Sequence, residues 1–384
     1  MTAEPLYGPD FGSYPREDVA WLLTDLSDLD LEAPTEQREE AIQSGGAHYA
    51  ESLPIEYRPS AQYQALFAEA LATGAERLAH AVGVVTELVL AERGRRATLV
   101  SLARAGTPIG VLMRRWAAVV HGLDLPHYTM SIVRGRGLDQ VALRYLAGHH
   151  AASDVVFVDG WTGKGAIARE LATAVLDVNA ATGLAFSPEL AVLADPGCCV
   201  PTFGTREDYL IPSASLNSTV SGLVSRTVLN DALIEPGQFH GAKFYRGLAG
   251  DDVSAQFVDA IAGRFADVHE RVDRDWPVVQ RGPRSATWAG WRAVAAIGAE
   301  FGIGDLNLVK PGVGETTRVL LRRVPWRVLV RPDARADLAH VLLLAEQRGV
   351  EVLDVPGLPY SCVGLIHPRF TRAGTGADGR AVHG

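Results

Sequence analysis

Between residues 97 and 194, short apolar runs alternate with segments whose apolar positions recur at helical spacing. The runs 97–102, 128–133, 155–159 and 190–194 read as strands, and 108–120, 138–146 and 165–177 read as helices. Strands separated by helices predict a parallel sheet with right-handed crossovers. Ligands of such sheets sit beyond the carboxyl ends of the strands, so the loops after Leu102, Val133 and Val158 are expected side by side. Upstream, Leu66, Leu71, Leu78, Val82 and Leu88 lie near helical spacing in an Ala-rich stretch, which predicts one long or two stacked helices over 60–92. Val19, Trp21, Leu22 and Leu23 form an apolar patch in an otherwise loose, acidic arm and suggest one short helix there. Downstream, 251–284 is helical and charged, and Gly282-Pro283 marks a break. Beyond it 328–330 reads as a strand, 336–347 as a helix closed by Gly349, and 350–353 as another strand. The fold class is therefore α/β, a parallel-sheet domain followed by a second, smaller α/β domain. The divisions are an arm at 1–55, the sheet domain at 56–290, the small domain at 300–370 and a flexible tail at 371–384.

Length supports that division, because 384 residues exceed what one hydrophobic core usually holds. With 47% hydrophobic and 21% charged residues the composition is that of a soluble globular protein. No uninterrupted apolar run of about 18 residues suggests a membrane span, and the N-terminus lacks the pattern of a secretory signal. The cytoplasm is the expected compartment. Cys198, Cys199 and Cys362 fit neither a disulfide framework nor paired zinc-knuckle spacing, which suits a reducing environment. The net charge of -9 argues against indiscriminate nucleic-acid binding by the whole chain, yet it averages over opposed regions.

The first candidate site is the segment D-V-V-F-V-D-G-W-T-G-K-G-A at 154–166, an apolar strand, a glycine turn and a helix start. Amides at a helix start, approached closely because glycine has no side chain, can cradle phosphate. Gly160, Gly163, Lys164, Gly165 and Ala166 would form that cradle, with Thr162 adding a hydroxyl. Asp159 at the strand end can accept from sugar hydroxyls or hold hydrated magnesium. The spacing is too short for a nucleoside-triphosphate loop, Lys164 is followed by Gly165, and the turns carry no dinucleotide fingerprint. The plainer alternative is a glycine turn that merely starts a helix. Two other loops favour an anion: S-L-A-R-A-G-T-P-I-G at 101–110, with Arg104, Ala105, Gly106 and Thr107, and M-S-I-V-R-G-R-G-L-D at 130–139, with Arg134 and Arg136.

These three loops resemble those of the type I phosphoribosyltransferases, and more closely the branch found in bacterial tellurite-resistance and stress-response gene clusters. The resemblance covers 60–245. It implies that 159–166 holds the ribose 5-phosphate of phosphoribosyl pyrophosphate, that Arg104 to Thr107 hold pyrophosphate, and that 134–137 form a mobile hood. It further implies that Asp159, Arg134 and Arg136 carry the reaction with Mg2+, cations at the leaving group supplying most of the stabilisation. Many family members have two acids at the strand end, whereas here Asp159 is followed by Gly160.

The hydroxyl-rich stretch 205–227 offers Asp208, Ser213, Asn217 and Arg226 as acceptor-binding residues. Its alternative is a helix capped by Asn217 or Ser218. Relatives of this group also carry the label of StiP-type cysteine proteases, which would need a thiol activated by an imidazole. Cys198 and Cys199 after Asp195-Pro196-Gly197, with His240, His149 or His150, are the residues available.

In the small domain Lys310, Arg318, Arg322, Arg323, Arg327, Arg331 and Arg335 face only Glu315 and Asp333 between 310 and 335. A glycine turn followed by a helix converges amides and Arg318 on one point, which suits a nucleic-acid backbone; a solvated basic helix face is the alternative. Residues 301–368, through G-V-G-E-T-T-R and L-P-Y-S-C-V-G-L-I, resemble the Pelota-type RNA-binding domain, a relative of ribosomal proteins. The resemblance implies RNA contacts from Lys310, Gly312, Gly314, Glu315, Thr317, Arg318 and Arg322, although Gly314 stands where the family usually has asparagine. The leading expectation is a phosphoribosyltransferase in a stress-linked nucleoside pathway, binding phosphoribosyl pyrophosphate or a nucleotide and RNA, free of membranes and able to oligomerise. The alternatives are a nucleotide-sensing RNA-binding regulator without turnover, and a cysteine protease.

Overall fold

A computed structural model describes residues 3–33, 51–133 and 135–367. The first domain is built on a six-stranded sheet: β1 (Ala20–Leu22), β2 (Thr98–Leu102), β3 (His127–Met130), β4 (Val155–Trp161), β5 (Leu190–Ala194) and β6 (Thr202–Thr205). Its spatial order is β1-β3-β2-β4-β5-β6, and every neighbouring pair is parallel. A parallel sheet must be covered on both faces, which explains the consecutive apolar residues of β1, β5 and the first half of β4. On one face α1 (Ala61–Arg93) and α2 (Thr107–His121) pack with α5 (Ser254–Ala262) and α6 (Phe265–Arg281), burying Leu78, Val85, Trp116, Phe257 and Phe265. On the other, α3 (Gln140–His149) and α4 (Ala166–Thr182) bury Leu143, Leu146, Leu171 and Val175.

The periodicity therefore locates most of these elements, and the first correction falls at the N-terminus. Residues 20–22 are the edge strand β1, paired in register with 128–130, rather than part of a short helix. Trp21, Leu22 and Leu23 are all buried, and three adjacent apolar side chains can be covered together only where both faces of the backbone are packed. The hydroxyl-rich stretch also departs from an α-helix. Asn217 precedes a 3-10 turn, Ser218–Val220, and makes no side-chain capping bond. The strand expected at 128–133 breaks after Met130, and Ile132–Val133 pairs with Gly137–Leu138 as a small hairpin.

The second domain is a four-stranded sheet of β7 (Val309–Pro311), β8 (Pro325–Val330), β9 (Glu351–Asp354) and β10 (Cys362–Ile366), in the order β7-β10-β8-β9. The helices α7 (Ala289–Glu300), α8 (Val313–Arg322) and α9 (Ala339–Gln347) cover it. Gly349 closes the α9 turn with a left-handed backbone, as the sequence suggests. Among the described residues no helix is long and apolar enough to cross a membrane.

Candidate active site

The loops at the carboxyl ends of β2 and β4 do lie side by side, but their groups are largely engaged by protein. Arg104 faces Glu56 at 3.5 Å. The amides of Gly106 and Thr107 donate to Leu102 and Arg104 carbonyls at 3.0 and 3.1 Å, and Gly160 lies beside the Ala105 carbonyl. In the 159–166 loop Thr162 N–H donates to Ala194 O and its hydroxyl to Asp195. Lys164 Nζ reaches across to the second domain, donating to Leu306 O at 2.6 Å and Val309 O at 3.3 Å. Gly163 O accepts from Tyr360 Oη at 3.0 Å, and Ala166 begins α4. Gly165, with φ of 72°, packs so closely on Trp288 and Cys199 that a Cβ would meet both. The glycines thus serve close packing against the second domain and the cysteine turn.

Asp159 differs from its neighbours. The hydrogen bond found for its carboxylate comes from the amide of Gly160, at 2.7 Å, and burial pushes its pKa up to about 7. Arg136 is half-exposed and faces Glu51 at 3.8 Å; Arg134 lies outside the described residues, as does the flexible tail expected at 371–384. Among the described residues no group of three or more His, Cys, Asp or Glu is arranged to hold a metal ion.

The acceptor and RNA residues of the sequence reading meet at the junction between domains. Asp208 accepts from Val313 N–H at 3.0 Å and Ser361 N–H at 2.8 Å. Arg226 donates to Ser52 O, and the Ser213 and Asn217 carbonyls accept from Leu216 N–H and the Ser221 hydroxyl. From the second domain, Arg318 donates to Ala214 O at 3.0 Å, Arg322 to Tyr63 Oη at 2.7 Å, and Gly314 packs on Ala214. Lys310 faces Glu315 at 3.7 Å, Gly312 N–H donates to Cys362 O, and the Thr317 hydroxyl donates to Val313 O.

The cysteine turn follows β5. Asp195 is fully buried and accepts from Cys199 N–H at 2.9 Å, Val200 N–H at 3.0 Å, the Thr162 hydroxyl and the Arg206 guanidinium. This anchored carboxylate shapes the loop: Cys198 takes a left-handed φ of 51°, uncommon for a residue other than glycine. Cys198 is partly exposed, whereas Cys199 and Cys362 are buried. Burial, with Asp195 adding to it, pushes the Cys199 thiol up to about 12. Trp288 N–H donates to Cys198 O at 2.8 Å, and Arg169 lies over the Trp288 and Trp291 rings. The candidate histidines lie elsewhere: His149 bonds Tyr145 O, His150 bonds Tyr128 Oη, and His240 bonds Ser131 Oγ. Among the described residues, none of these three hydrogen-bonds a thiol.

Fold and turn together define a two-domain α/β protein with a partly exposed thiol at the carboxyl edge of a parallel sheet. The chain belongs to the StiP family: residues 12–262 match the family described as tellurite-like stress resistance cysteine protease StiP. Residues 288–368 match the Pelota RNA-binding domain. A protein of Acinetobacter baylyi named cysteine protease StiP is 34% identical over 367 residues, covering 92% of this chain and 94% of that protein. No solved structure matches the chain. These findings correct the expectation of a phosphoribosyltransferase, since the family and the relative are both named for cysteine proteolysis. The loop that suggested ribose phosphate has a physical role of its own, because Gly163 and Lys164 are bonded to the second domain.

The sequence reading missed Glu56, Arg169, Trp288 and Tyr360. Each acts through a partner more than 100 residues away or through ring packing, and no local spacing marks it.

Proposed function

We propose that the chain is a cysteine peptidase with Cys198 as its nucleophile. The observation that carries this reading is the contrast among the three thiols: Cys198 alone is partly exposed, on a turn whose backbone is held by buried Asp195. The family description supports the reaction class. In such chemistry the thiolate attacks a peptide carbonyl, the amine leaves with a proton, and water hydrolyses the thioester. Peptide-library hydrolysis by the purified full chain tests this. Cys198→Ser should abolish cleavage while Cys199→Ser retains it. Cleavage that persists in Cys198→Ser sinks the assignment.

A second activity is supported independently by the Pelota match: the domain at 288–368 binds RNA. Retention of single-stranded or structured RNA by the full chain, weakening steeply with salt, is the expected behaviour. Absence of binding at low salt would remove this activity.

A further inference from the structure

Three described acidic residues that precede the first long helix each face a basic residue of the first domain. Glu32 pairs with Lys243 at 2.8 Å, Glu51 faces Arg136 at 3.8 Å, and Glu56 faces Arg104 at 3.5 Å. Glu56 is the deepest of these, its side chain only 5% exposed. Its Oε1 accepts from Ser218 N–H at 2.9 Å and from the Ser218 hydroxyl at 2.8 Å. Burial alone would raise its pKa, but Arg104, the two Ser218 bonds and Arg322 outweigh burial and hold it below the usual carboxylate range. The Ser218 amide and hydroxyl and the Arg104 guanidinium, gathered at one carboxylate with the positive charge of Arg322 acting on it as well, are also the kinds of donor that recognise a phosphate oxygen.

The second domain supplies part of this cradle. Arg322 and Arg318 project from α8 toward the 214–215 carbonyls, at 3.4 Å from Ser215 O and 3.0 Å from Ala214 O. Burial lowers the pKa of Arg318, and repulsion from Arg322 and Arg104 adds to the effect. Three guanidiniums therefore crowd one junction where Glu56 and Glu315 supply the opposing charge. Like charges in a low-dielectric junction are relieved by a further anion, or by exchanging a single carboxylate for a more highly charged group.

We propose that the junction lined by Arg104, Ser218, Arg318 and Arg322 binds a backbone phosphate of RNA, and that Glu56 occupies this position as an internal stand-in which RNA must displace. The inference rests on the reading that the Pelota domain binds RNA, and adds where one phosphate enters and what competes with it. Binding would then be a contest between an intramolecular carboxylate and an intermolecular phosphate, so removing the carboxylate charge strengthens RNA binding.

Fluorescence anisotropy with a labelled single-stranded RNA, on the full chain, tests the contest. Glu56→Gln should tighten binding about tenfold, and adding Arg322→Ala should remove that gain. Hydrogen exchange on the unaltered protein guards against a folding defect in the variants: saturating RNA should release residues 51–57 and speed their exchange. RNA bound with equal affinity by wild type and Glu56→Gln, or 51–57 equally protected with RNA present, would overturn the proposal while leaving RNA binding itself intact. No RNA binding by any variant would instead remove the Pelota reading, and this inference with it. Release of 51–57 by tripolyphosphate but not by RNA would assign the junction to a small phosphate and overturn the RNA source.

Discussion

Asp208 of the first domain caps the first turn of helix α8 in the second, its Oδ1 3.0 Å from the amide of Val313. Its Oδ2 accepts from Ser361 N–H at 2.8 Å, and its own carbonyl accepts the Ser361 hydroxyl. One residue thereby ties the second domain to the loop after β6. Amides at a helix start are otherwise without intrahelical partners, so a carboxylate supplied from outside stabilises the turn. Asp208→Ala leaves two enclosed N–H groups unpaired and is expected to cost about 2–3 kcal/mol. Calorimetry should show the second domain melting earlier and separately from the first. Asp208→Asn keeps one acceptor and should lose less; equal losses for Ala and Asn would show that the hydrogen bonds are not the tie.

Gly165 stands between the loop 159–166 and the cysteine turn. A Cβ there would meet the Trp288 ring and lie 2.8 Å from Cys199 Sγ, and the backbone has φ of 72°. Gly165→Ala combines left-handed strain with displacement of Trp288, whose amide holds the Cys198 carbonyl. A loss of roughly 2–4 kcal/mol is expected, together with faster alkylation of Cys198 as the turn loosens. An unchanged melting temperature would show that the ring moves aside freely.

Why the sequence discloses the sheet but not the occupancy of its mouth follows from the range of the forces involved. Strands buried on both faces are rich in consecutive apolar residues, so 97–102, 155–159 and 190–194 stand out by themselves. β1 escapes because its three residues give no period. The mouth is different. Glycines and lysine at 163–165 have the composition of an anion loop, yet Lys164 is satisfied by carbonyls 142 and 145 residues away. Likewise Arg318 and Arg322 belong to a basic run, but the junction turns them inward onto Ala214, Ser215 and Tyr63. Composition shows which groups can bind an anion; only the packing of the two domains shows which of them already hold a partner.

The three thiols should separate cleanly in reactivity. Cys198 is partly exposed, whereas Cys199 and Cys362 are buried, and burial raises the thiol pKa of both. A thiol displaced to about 12 is roughly one part in 10⁴ thiolate at pH 8, since each unit is tenfold. Under native conditions a disulfide reagent should therefore titrate one cysteine rapidly and three after denaturation. Mass spectrometry should place the first label on Cys198. Native labelling of Cys199 at a comparable rate would contradict its enclosure by Asp195 and Gly163.

Asp159 gives stability a pH dependence opposite to that of an ordinary paired carboxylate. Burial raises its pKa to about 7, while in the unfolded chain an aspartate titrates near about 4. Between those values the folded protein holds a proton that the unfolded chain has released. Stability from this group is therefore complete below pH of about 4 and declines as pH rises toward 7, where the half-buried carboxylate must ionise. Asp159→Asn removes the ionisation but keeps an acceptor for Gly160 N–H. It should leave stability at pH 4 nearly unchanged and raise it at pH 8, by on the order of 2 kcal/mol after relaxation of the site. Denaturant unfolding at the two pH values measures this directly. Equal shifts at both would mean that the side chain is hydrated and titrates as a surface acid, and Asp159 would lose its place as a proton-holding group at the strand edge.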